Sequence, residues 1–100
     1  SGVTSLELAK AIKWFIENET TGLYQLTNGK SISKHDLLNL FKKYTNKNIE
    51  IKKVNGVVTN KSFIDMRKEI SYSLPEYNEM IRDMVMAIKN NKILYNYYNL

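Results

Sequence analysis

No cysteine occurs in this sequence. That excludes a disulfide framework and any thiolate metal site. A single histidine, His35, excludes a multi-histidine site. Proline appears once, at Pro75, and glycine four times, so no Pro/Gly-rich linker divides the chain. No apolar run approaches the roughly 20 residues that a membrane span needs. Arginine is scarce too, with only Arg67 and Arg82 present. Proteins that read base edges lean on arginine forks, so base-specific nucleic-acid readout finds little support. No stretch reads as a secretory signal. The expected setting is the reducing cytoplasm, although a cysteine-free chain fits other compartments as well.

Lysine is plentiful. The net charge is +5 and the sequence pI is near 9.4. That balance mildly favours an anionic partner, whether nucleic acid, nucleotide or acidic protein. An ordinary solvated lysine surface accounts for it equally. One hundred residues make one small domain, which buries roughly 60 to 70% of its unfolded surface. Ser1-Gly2 reads as a cloning scar or trimmed end, leaving residues 3–100 as the domain and raising the prospect of a fragment of a longer enzyme.

Periodicity orders the elements. Thr4-x-x-Glu7 is a capping box that opens a helix to about Glu17. Leu8, Ile12, Phe15 and Ile16 form its expected core stripe. Leu23 to Thr27 alternates as a strand, and Asn28-Gly29 is a turn. Ser33 caps a second helix from about Lys34 to Tyr44, with Leu37, Leu38, Leu40, Phe41 and Tyr44 facing inward. Ile49 to Val54 alternates as a second strand. Phe63 to Ile70 suits a short helix, and Pro75 to Asn90 a longer one with Tyr77, Met80, Ile81, Met84, Val85 and Ile88 as its stripe. The order α-β-α-β-α-α predicts an α+β domain of about four helices and a short two- to three-stranded sheet.

Gly29-Lys30-Ser31 resembles the end of a phosphate-binding loop. The template needs a second glycine five residues earlier, where Tyr24 stands, so a plain turn is the better reading. Ser33, His35 and Asp36 are neighbours at one helix start, and capping suits them better than a nucleophilic relay. Glu76, Glu79 and Asp83 on one helix, and Asp65 with Glu69, read as solvated charges more readily than as metal ligands. Lysines 42, 43, 47, 52, 53 and 61 form a candidate basic face, with Tyr24 or Tyr44 for stacking. Met80 and Met84 fall on the core stripe and Met86 falls off it.

Two stretches carry a family resemblance. "GVTSLELAKAIKWFIENETTGLYQLTNGKSISKHDLLNLF" has a Gly-Val-Thr start, a Leu-Ala-Lys helix, a Gly-x-Tyr-x-Leu-Thr-Asn segment and an Ile-Ser-Lys helix start. "NKSFIDMRKEISYSLPEYNEMIRDMVMAIKNNKILYNYY" has a Pro-x-Tyr-x-Glu-Met helix and a closing Lys-x-x-Tyr-x-x-Tyr. Together they resemble the C-terminal substrate-binding domain of extended short-chain dehydrogenases/reductases that act on sugar nucleotides. The likeness is to dTDP-4-dehydrorhamnose reductase-like proteins and other NAD-dependent epimerase/dehydratase proteins.

The resemblance implies a lobe normally packed on a Rossmann domain that this sequence does not contain. There is no glycine-rich turn for a dinucleotide, and no tyrosine is followed four residues later by lysine. The implied catalytic, cofactor-binding and metal residues are therefore none in this chain, and NAD(P)H belongs to the parent enzyme. The implied partners are a nucleotide-sugar substrate and the missing domain, with neither membrane nor nucleic acid favoured. In the family's pattern Thr59-Asn60-Lys61-Ser62 falls on a loop near substrate, so Lys61 and Ser62 are the implied binding residues. Val57-Val58 replaces the family's frequent Arg-Pro just before that loop, which weakens the diphosphate contact. A severed lobe would expose apolar surface around the first helix and residues 55–63 and self-associate there. The alternative function is a standalone basic α+β module for nucleic acid or protein.

Overall fold

A computed structural model describes residues 2–54 and 72–97. Three helices form among them: α1 (Ser5–Glu17), α2 (Lys34–Thr45) and α3 (Tyr77–Asn90). The sequence sets their starts. Thr4 Oγ1 accepts the Glu7 amide at 3.3 Å, and Ser33 Oγ accepts the Asp36 amide at 3.1 Å. Both caps sit in extended backbone, as an N-cap must. The capping box at α1 is only half made. The Glu7 carboxylate turns to Lys10 Nζ, 3.1 Å away, rather than back to Thr4. Pro75 lies ahead of α3 rather than in its first turn, and Glu76 is the cap. Glu76 makes no side-chain capping bond, because its carboxylate is drawn to Lys30 Nζ at 2.6 Å. Asn46 ends α2 in the left-handed region at φ 55°, a conformation asparagine tolerates better than most residues.

The expected α+β class is overturned. The described residues contain no strand and no sheet, only helices and irregular connections. Residues 23–27 and 49–54 alternate, yet no backbone hydrogen bond joins the two segments. A strand is stable only as part of a ladder, and alternation alone supplies no partner. The first segment is held by side chains instead. The Tyr24 ring stacks on Phe15 with centroids 5.6 Å apart, and its hydroxyl donates to the Thr21 carbonyl at 3.0 Å. Gly22 takes φ 118° just before it, a conformation that favours glycine; a Cβ there would meet the same tyrosine ring at an ordinary contact distance of 3.4 Å. Leu23 points away and is 99% exposed. The expected helix at 63–70 lies outside the described residues.

α3 is the hub. It packs on both α1 and α2, which do not touch one another. Its expected stripe is correct at the centre: Met80, Ile81 and Val85 are buried, while Tyr77, Met84 and Ile88 are half-buried. Met86 is exposed, as its position off the stripe predicts. Fully burying such a side chain stabilises by about 1.5–3 kcal/mol. The stripe expected on α1 is corrected. Ala11 and Glu7 are buried there, and Leu8, Ile12 and Ile16 are exposed, Ile16 by 71%. On α2 no residue is fully buried, and Leu38 is exposed. The radius of gyration is 15.8 Å, against about 13 Å for a compact domain of this length. A slab of 44 × 40 × 17 Å leaves little depth for a core that covers every stripe.

Candidate functional site: a cleft bordered by three helix starts

Polar contacts between the 28–32 turn and the start of α3 build one wall. Asn28 Nδ2 donates to the Pro75 carbonyl at 3.1 Å. Tyr77 donates its hydroxyl to the Lys30 carbonyl, and Lys30 pairs with Glu76. Tyr44 of α2 donates to Asn78 Oδ1 at 2.7 Å, fixing α2 against α3. The N-terminal segment joins through the Gly2 amide, which donates to the Tyr77 hydroxyl at 3.4 Å.

These ties enclose a half-open cleft of about 510 Å³, within the range of small-molecule sites. Its apolar wall is Leu37 and Phe41 of α2 with Met80, Ile81 and Met84 of α3. Its polar edge carries Thr4, Ser5, Lys34 and Tyr77. Those are the first residues or cap of α1, α2 and α3, so the positive ends of three helix dipoles surround one opening. Lys34 makes no ion pair among the described residues. An apolar wall beside a positive edge suits a ligand with a flat or hydrocarbon part and an anionic part. Sequence reading did not find this site. The signal was there in the two caps, Thr4 and Ser33, but nothing in periodicity says that two caps converge.

The Gly-Lys-Ser turn is not a phosphate cradle. The Gly29 amide donates to Thr27 Oγ1 at 3.2 Å and the Lys30 amide to Asn28 Oδ1 at 3.0 Å. Amides committed to their own turn cannot wrap phosphate oxygens. Gly29 adopts φ 77°, which is why glycine follows Asn28. This turn therefore does not fit the diphosphate of NAD(P)H, and the described residues offer no other glycine-rich turn.

The Ser33, His35 and Asp36 neighbours do not form a relay. Ser33 is spent on the Asp36 amide, and His35 Nδ1 stands 3.5 Å from Asp36 Oδ1 and beside Asn39. Glu76 pairs with Lys30 and Asp83 with Arg82. Among the described residues no three metal-ligating side chains gather. Lys61 and Ser62, with Asp65 and Glu69, lie outside the described residues. No described helix is long and apolar enough to cross a membrane.

An aromatic group also escaped sequence reading. Trp14 meets Phe15 edge-on at 5.5 Å and Tyr72 at 5.4 Å, and Phe15 carries Tyr24. It pins residues 20–24 and 72 to the second half of α1, away from the cleft lining.

No family model matches the chain, and neither does any curated protein or solved structure.

Proposed function

We propose that this chain is the substrate-binding lobe of a sugar-nucleotide oxidoreductase of the dTDP-4-dehydrorhamnose reductase-like kind, inactive in isolation. The observation that carries the reading is the cleft. Leu37, Phe41, Met80 and Met84 offer an apolar wall for a base or a sugar face. Lys34 and the three helix starts offer positive charge to a diphosphate, with lysine acting as a point charge. The ordered series of motifs from Gly2 to Tyr98 supports the same family. NAD(P)H and the proton-transferring tyrosine and lysine belong to a partner domain. This chain's part is to bind and orient the nucleotide sugar, with Lys61 and Ser62 as further contacts.

The test is a titration of the folded chain with dTDP-glucose, followed by NMR of the methionine methyls. Shifts at Met80 and Met84, and a roughly tenfold weaker affinity for Lys34→Ala, are expected from losing one charge-assisted contact. Absence of any shift at millimolar ligand sinks the reading of the cleft. NAD(P)H-dependent turnover of a dTDP-4-keto sugar by the isolated chain sinks its inactivity.

A further inference from the structure

The Asn28-Gly29 turn has a chemistry that the cleft does not use. In an Asn-Gly pair the glycine nitrogen can attack the asparagine carboxamide, because no side chain on the glycine shields it. The sequence holds two such pairs, Asn28-Gly29 and Asn55-Gly56, and the second lies outside the described residues. Gly29 is exposed, so water reaches the peptide.

Attack needs two freedoms. The Gly29 nitrogen must give up its proton, and the Asn28 carboxamide must swing onto it. The fold withholds both. The Gly29 amide donates to Thr27 Oγ1 at 3.2 Å, and Thr27 is buried. Asn28 Nδ2 donates to the Pro75 carbonyl at 3.1 Å, just ahead of α3. The Lys30 amide works the other way: it donates to Asn28 Oδ1 at 3.0 Å and polarises the carboxamide toward attack. The group is therefore activated and restrained at once. Two further contacts hold the turn against the start of α3, the Tyr77 hydroxyl on the Lys30 carbonyl and Lys30 on Glu76.

We propose that Asn28 is a deamidation site that docking of its turn on α3 keeps closed, and that its conversion unties the turn from α3 for good. When the turn lifts, the Gly29 nitrogen bonds to Asn28 Cγ and the Cγ–Nδ2 bond breaks. The proton lost from the Gly29 nitrogen ends on the departing ammonia. Water then opens the five-membered imide, giving aspartate or, through the other carbonyl, isoaspartate. Nothing is oxidised or reduced. Aspartate sets an acceptor oxygen where Nδ2 donated, so the Pro75 carbonyl loses its donor and faces a carboxylate. Isoaspartate lengthens the main chain by one carbon and misplaces the group altogether. No ligand enters the proposal, so it stands apart from the sugar-nucleotide reading.

The experiment incubates the chain folded and in urea, in the same mildly alkaline buffer, and follows both Asn-Gly pairs by peptide mass spectrometry. In urea Asn28 should convert as fast as Asn55. Folding should slow Asn28 by roughly thirtyfold, the worth of two hydrogen bonds. Tyr77→Phe, checked by circular dichroism to remain folded, frees the turn without touching the reacting atoms. It should speed conversion about fivefold in buffer and leave the rate in urea unchanged. Asn28→Asp should lower the melting temperature by about 5 °C or more. Equal rates with and without urea overturn the closed site, and that comparison needs no variant. A slow Asn28 in urea also overturns it, because the protection would then be local. So does a folded Tyr77→Phe chain that converts no faster. Unchanged melting of Asn28→Asp overturns the untying.

Discussion

Helices α1 and α3 are nearly the same length and carry similar apolar stripes, yet they meet opposite fates. α3 buries Met80, Ile81 and Val85 because it has a helix on each of two sides. α1 touches only α3. It buries the Glu7 and Ala11 edge and leaves Leu8, Ile12 and Ile16 facing outward. Periodicity tells which residues travel together on one face. It does not tell whether the molecule supplies a surface for that face to meet. Where a chain has more apolar stripes than neighbouring helices, one stripe stays open.

The comparison breaks first at Met80. Met80→Ala should cost about 2–5 kcal/mol, because it opens a cavity between helices that cannot fully collapse. Urea denaturation reads this directly. A loss under about 1 kcal/mol would mean that α3 is not the centre of the fold. The next effect concerns how the two helices that pack together begin. Ser33→Ala removes the bond to the Asp36 amide and should cost about 1 kcal/mol. Glu76→Ala removes no capping bond, only a solvent-exposed pair with Lys30, and should cost about 0.5 kcal/mol or less. Equal losses in thermal melts would show that the Ser33 cap does nothing special. The smallest effect on stability lies on α1. Ile16→Ser should change unfolding by no more than about 0.5 kcal/mol while lowering self-association in sedimentation equilibrium. A large destabilisation would show that Ile16 is packed, and the contrast between the helices would vanish.

Local chemistry was the legible part of the sequence. Thr4 and Ser33 were readable as caps, and the three described helices lie within a residue or two of where periodicity puts them. The Asn28-Gly29 turn was readable for the same reason, since only nearby atoms decide it. The strands at 23–27 and 49–54 were misread because a strand depends on a distant partner, and Tyr24 found Phe15 instead. The cleft stayed hidden because its wall joins residues far apart, such as Leu37 with Met84, and its edge joins Thr4 with Lys34 and Tyr77. Lys42, Lys43 and Lys47 were visible as a basic run, but that they line one shallow depression with Asn39, Asn46 and Asn48 required the fold.

The placement of α3 also governs when this chain can acquire tertiary structure. α1 and α2 leave the ribosome before α3, and neither has the other to lean on. Each is too short to be a stable helix in water alone. The helix that both require follows them, between Tyr77 and Asn90. Until α3 emerges, the nascent chain must therefore carry Ala11, Leu37 and Phe41 uncovered. Docking should follow emergence of α3 in one cooperative step, and a chain stopped before Tyr77 should be a substrate for chaperones and proteases rather than a partly folded protein.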